Sequence, residues 1–124
     1  MRKIAVIGVG ILAVAASYAV AQSNSTAVYL VAEFEVTDPV GYQKFGAAVG
    51  PIIASHGGKF VSSRGQITAG LGEVPKGVTI IRFESLAKGQ AYVQSPENAA
   101  LGPLRDQSSK GRRTYFVGAG NAPQ

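Results

Sequence analysis

The side chains in this sequence that could do chemistry are few, and their spacing narrows what they could do. Glu33 and Glu35 sit at i and i+2 in an alternating run, so both carboxylates leave one face of a strand. Arg64 and Arg82 fall in two further strand-like runs and could meet them on that face. A carboxylate beside a guanidinium stays ionised and can orient a polar ligand. The same groups could equally form a structural ion pair that sets the register of an interface. His56 is the single histidine. As a general base it would need a neutral imidazole aimed into a cavity. Its place just before Gly57-Gly58 offers the other role, contact with the last carbonyls of a helix and with its dipole. Arg105 could reach from a helix end to a ligand carboxylate or phosphate, or stay in solvent with Asp106 as its partner. The candidate catalytic residues are therefore His56 and Glu33, and the candidate ligand contacts are Arg64, Arg82, Arg105 and Glu35.

Other chemistry is excluded by what is missing. The chain has no cysteine, so disulfides, thiolate metal sites and thiol catalysis are ruled out. One histidine cannot make a three-histidine metal centre, and haem ligation by histidine would rest on His56 alone. No metal and no cofactor is expected. Ser62 and Ser63 lack the strained elbow and partner set of a hydrolase. Gly70-Leu71-Gly72 does not stand between a strand and a helix, so it is no phosphate cradle. Tyr42 and Tyr92 fall on helical faces with Phe45 and Ala91 and read as core.

The elements that must position these groups begin after a leader. Arg2 and Lys3 precede an uncharged apolar run from Ile4 to Tyr18, and Ala19-Val20-Ala21 has the small-x-small form of a cleavage site. Residues 1–21 read as a signal peptide, residues 22–26 as a polar linker, 27–119 as the folded domain and 120–124 as a tail. The apolar run is short for a membrane span and has no basic stop-transfer cluster behind it. Cleavage would place the protein in the periplasm or outside the cell, with no membrane attachment. It would also remove two of the 12 basic residues, lowering the formal net charge of +5 by two. Lys110, Arg112 and Arg113 are then the main basic cluster, too little for a nucleic-acid face.

Within the domain, Ala27 to Val36 alternates as a strand, with Val28, Leu30, Ala32 and Phe34 on one side. Asp38-Pro39 caps a helix running to Ser55, where Gly50-Pro51 predicts a kink or a split. Lys59–Gln66 reads as a second strand, residues 67–77 as a loop and Val78–Glu84 as a third strand. Ser85 caps a helix to about Val93, and Ser95-Pro96 opens another stretch that Gly102-Pro103 should distort. Arg113–Gly118 is the last strand. This β-α-β-β-α-β order predicts an α+β, ferredoxin-like fold, a four-stranded antiparallel sheet with its helices on one face. The bare face would carry Tyr29, Val31, Ile80 or Ile81, and Phe116 or Tyr115. It is too apolar to leave in water, and a twofold homodimer would cover it.

Three stretches carry a family resemblance: YLVAEFEVTDPVGYQKF, HGGKFVSSRGQ and IIRFESLAKGQAYVQSPENAALGPLR. With them the chain from Val28 to Gly118 resembles the domain of unknown function 1330 family, of the dimeric α+β barrel superfamily. The resemblance implies a dimeric α+β barrel. The superfamily includes small monooxygenases acting on polycyclic quinols, muconolactone isomerases, haem-degrading enzymes and stress-response barrels, and a shared fold does not choose among them. Arg64-Gly65-Gln66 departs from the Arg-Gly-Gly of many members, and many members lack a leader. The expectation is an exported homodimer binding a small organic ligand in the barrel cleft. The alternatives are a cofactor-independent monooxygenase or isomerase, with His56 or Glu33 as base and Arg64 or Arg82 stabilising an anion, and a structural interaction module.

Overall fold

The computed structural model describes residues 26–120. The expected signal peptide, nearly all of the linker and most of the tail lie outside the described residues. The elements follow in the order β1 Val28–Val36, α1 Pro39–Ser55, β2 Lys59–Ser63, β3 Gly77–Phe83, α2 Leu86–Val93, α3 Pro96–Ala100, α4 Gly102–Ser108 and β4 Ser109–Gly118. The four strands form one antiparallel sheet in the order β2-β3-β1-β4. This is the ferredoxin-like arrangement, with the two outer strands contributed by the middle and the end of the domain.

Local chemistry sets the helix ends. The Asp38 carboxylate accepts from the Gly41 N–H at 3.2 Å and Pro39 opens α1. Caps of this kind are worth about 1 kcal/mol. Pro51 does not split the helix: α1 is continuous to Ser55, and Pro51 lies on its exposed side. Gly57, at φ +78°, takes the chain out of α1 in the left-handed conformation that glycine adopts without cost. Ser85 and Ser95 cap α2 and α3 by accepting from the N–H groups of Lys88 and Asn98. Gly102-Pro103 does break the following stretch, which becomes the two short helices α3 and α4 meeting at Leu101.

The alternation of β1 sorts the sheet into two faces. Val28, Leu30, Ala32 and Phe34 are buried beneath the helices, with Ile81 and Phe83 from β3 and Tyr42, Phe45, Val49, Ile53 and Tyr92 from α1 and α2. Phe83 is fully buried and stacks on Tyr92 at 5.7 Å, and Phe34 stacks on Tyr42 at 4.9 Å. The outer face pairs Tyr29 with Arg82 and Val117, Val31 with Ile80 and Tyr115, and Glu33 with Val78 and Arg113. Ile80 and Tyr115 thus belong to the outer face, while Ile81 and Phe116 pack against the core.

β4 is longer than its sequence pattern. It begins at Ser109 rather than Arg113, because pairing with β1 carries the polar Ser109–Arg112 stretch into the sheet. The register shifts on the way. Glu33 faces Arg113, but Glu35 faces Lys110, so β4 holds one extra residue. Gly111 sits there at φ +63°, the glycine form of a β-bulge. The bulge leaves Lys110 and Arg113 on the glutamate side and turns Arg112 towards the helices, over the rings of Phe34, Phe45 and Tyr42 at 4.9, 5.7 and 5.9 Å.

Candidate functional site

Between the helix-bearing face of the sheet and the helices lies a cavity of about 570 Å³. Leu30, Ala32 and Ile81 form its floor, and Phe45, Val49 and Ile53 of α1 form an apolar wall. Its polar groups are Arg64, Arg105, Arg112, Tyr42, Tyr92 and Asn98, with a few hydroxyls and the Gln43 amide. Among the described residues, no aspartate, glutamate, lysine or histidine lines it. Every charge on the wall is a guanidinium.

Each arginine arrives by a different route. Arg112 is delivered by the Gly111 bulge. One of its Nη atoms donates to the Tyr42 hydroxyl at 3.1 Å, while its Nε is buried without a hydrogen-bond partner. Arg105 comes from the last turn of α4 and donates from Nε to Asp106 at 2.9 Å. That contact holds the Asp106 carboxyl below its usual range. Arg64 follows β2 with φ +58°, a conformation rarely taken by residues with a Cβ, and its guanidinium lies 5.5 Å from the Tyr42 ring centre.

Tyr42 and Tyr92 are core residues, as their helical spacing predicts, and they also line the cavity. Burial pushes the Tyr92 hydroxyl up to about 12, with Arg112 and Arg105 pulling the other way. An unfolded tyrosine titrates near 10, so the stability from this group is fully present below about pH 10. It is lost as pH rises from about 10 through about 12. We expect the wild type to lose about 2 kcal/mol of unfolding free energy over that interval, after a discount for solvent access. Tyr92→Phe should remove that part of the alkaline decline in urea-denaturation profiles. Equal declines in the two proteins would show that Tyr92 is not the group responsible.

The other sequence candidates lie elsewhere. Glu33 and Arg82 are on the outer face, so the sheet separates them from Arg64, and the expected Glu33–Arg64–Arg82 pocket does not form. The partners of Glu33 are instead its β4 neighbours: Tyr115 donates at 2.6 Å and Arg113 at 2.7 Å. First the Tyr115 hydroxyl and then Arg113 hold this carboxyl below its ordinary range. Glu35, half-buried near the end of β1, bridges the exposed Lys76 at 3.3 Å and Lys110 at 3.8 Å. His56 caps α1. Its Nδ1 lies 2.9 Å from the Ile52 carbonyl, and its ring meets Tyr92 edge-on at 6.1 Å, outside the cavity wall. Of the residues singled out in the sequence, the cavity gathers Arg64 and Arg105. It adds Arg112, whose only sequence signal is the glycine before it in a basic run. Among the described residues, no group of three or more histidines, aspartates and glutamates is placed to hold a metal ion, and no helix is long and apolar enough to cross a membrane.

Solved structures share this architecture. A protein of unknown function from Rhodopseudomonas palustris aligns with a TM-score of 0.63 at 18% identity, covering 91% of this chain and 96% of its own. A dimeric protein of unknown function and ferredoxin-like fold from Bacteroides fragilis aligns with a TM-score of 0.54 at 16% identity, covering 77% and 99%. SnoaB, a cofactor-independent oxygenase from Streptomyces nogalater, aligns with a TM-score of 0.58 at 15% identity, covering 81% and 97%. At these identities the likeness is one of fold. No curated protein matches the chain. The family described as domain of unknown function (DUF1330) matches residues 27–119.

Proposed function

The chain belongs to that family of domains of unknown function, and from this premise we propose that it is an exported homodimer binding a small organic anion in the cavity of each protomer. One observation carries the ligand class: the cavity wall is apolar and aromatic, and its charged side chains are all arginines. Guanidinium groups bind carboxylates and related oxyanions through paired N–H donors. The Tyr42 hydroxyl accepts from Arg112, which leaves its own proton free to donate to the same oxyanion. The apolar wall suits the carbon body of the ligand.

Binding ranks above catalysis because His56 and Glu33, the sequence candidates for a base, do not line the cavity. Tyr92, pushed up to about 12, is a poor base at neutral pH. The oxygenase among the structural neighbours keeps a second reading open, in which the substrate enters already ionised and the arginines stabilise it. Dimerisation is supported by the apolar outer face, where Tyr115 and Val117 are 40% and 47% exposed, and by the neighbours described as dimeric. Export is supported by the pattern of residues 1–21.

Native mass spectrometry of the protein recovered from the extracytoplasmic fraction tests all three parts. The expected species is a dimer of chains beginning at Gln22 that releases a small organic acid. In melting experiments, an organic acid at a hundred times its Kd should stabilise the fold by about 2.7 kcal/mol, a shift of several degrees. A chain found only in the cytoplasmic fraction defeats the export part, and a monomer defeats the dimer. A protein that carries no acid and melts unchanged across a panel of organic acids does not have the proposed function.

A further inference from the structure

The three cavity arginines differ in what already neutralises them. Arg105 is paired with Asp106 at 2.9 Å. Arg112 and Arg64 have no carboxylate within ion-pair distance among the described residues. Both stand against the ring of Tyr42, at 5.9 and 5.5 Å from its centre. They sit at different depths. Arg112 is half-buried with a buried, unpartnered Nε, and Arg64 is exposed at the rim.

A cation drawn out of water without a counter-charge is costly. Arg112 is half-buried with no ion-pair partner among the described residues, Asp106 acting on it only at longer range, and Arg64 stands exposed with none. A single carboxylate engages one guanidinium fork, and taking Arg112 would leave Arg64 unanswered. We infer that the natural ligand carries two acidic groups on one compact apolar body, one met by Arg112 at depth and the other by Arg64 at the rim. Small aromatic or cyclic dicarboxylates are the class that fits. This inference rests on the anion-binding function proposed above and narrows it. The backbone supports the role of Arg64. A left-handed conformation at a residue with a Cβ persists where surrounding structure holds it, and such positions cluster at ligand sites.

Calorimetric titration of the purified protein with benzoate, phthalate, isophthalate and terephthalate tests this directly. At least one dicarboxylate should bind about tenfold or more tightly than benzoate, the scale of one additional charge-assisted contact. The preferred isomer reports the separation of the two cationic sites. In Arg64→Gln, the ratio of dicarboxylate to benzoate affinity should fall to within about twofold of one. Position 64 is exposed, so that variant should fold, and its melting curve will show whether it does. Arg64→Gly, which also relieves the positive φ, should lose the same preference. If benzoate binds as tightly as every dicarboxylate, the two-acid inference is overturned while anion binding stands. If a dicarboxylate preference survives both variants, the second acid is not met by Arg64 and the inference fails. If none of the four acids binds, the inference of an aromatic or cyclic dicarboxylate fails, and anion binding itself is decided by the wider panel of organic acids.

Discussion

Arg112→Met is expected to leave the unliganded protein within about 1 kcal/mol of wild-type stability while weakening organic-anion binding about a hundredfold or more. The two effects part because Arg112 sits where a hydrophobic side chain would be at home. Its guanidinium lies among Phe34, Tyr42 and Phe45, and its Nε is buried without a partner. Methionine keeps the length and the contact with the rings and removes the desolvated charge. What it gives up is a cation–π contribution of about 0.5–2 kcal/mol and the hydrogen bond to Tyr42, and the relieved desolvation offsets these. The ligand has no such compensation. Loss of a charge-assisted, partly buried contact costs about 3 kcal/mol, which gives the hundredfold factor. Chemical denaturation and calorimetry on the same preparations separate the two. Undiminished affinity would remove Arg112 from the site, and a stability loss above about 3 kcal/mol would make it a structural residue instead.

Phe83→Ala should lower the unfolding free energy by about 3–5 kcal/mol, the range for deleting a buried phenylalanine. Phe83 is 0% exposed and stacks on Tyr92. It also packs close to Gly58 and Gly89, where an added Cβ would lie 2.8 and 3.3 Å from its ring. These neighbours are backbone of the turn between α1 and β2 and of α2, so the void cannot collapse cheaply. Small domains hold only about 5–15 kcal/mol in total, so the loss should be visible as a large fall in the urea midpoint with little change in slope. A loss below about 1.5 kcal/mol would mean that the core repacks around the missing ring. Phe83→Leu should cost less, because most of the volume remains.

Much of the fold was legible in the sequence because its signals are local. The alternation of residues 27–36 marks a strand with a definite inner face, and the structure buries that face. Asp38-Pro39, Ser85 and Ser95-Pro96 mark helix starts through side-chain caps that need nothing beyond their own turn. The Gly50-Pro51 signal left a split open, and α1 instead stays continuous through an exposed Pro51 while its Val49 and Ile53 remain packed in the core. The start of β4 was invisible, since Ser-Lys-Gly-Arg has no strand pattern and becomes a strand only by pairing with β1.

The site was legible only in part. Glu33, Arg64 and Arg82 are charged residues at strand-like positions, and sequence spacing could not say that the sheet would part them. Arg112 was hidden because its direction depends on a bulge, and a one-residue insertion inverts which side chains face the core. By itself, the sequence determined the element order, the inner face of β1, the helix caps, the absence of thiol chemistry and the pattern of a leader, all written in short-range spacing and residue type. Only the tertiary structure decided that Arg64, Arg105 and Arg112 meet around Tyr42 and Tyr92 on the helix side, while Glu33 turns away with Tyr115 and Arg113. Those three arginines stand up to 48 residues apart in the chain, and their convergence depends on strand register, a left-handed residue and a bulge. These are fixed by long-range pairing and packing, and no short window of sequence contains them.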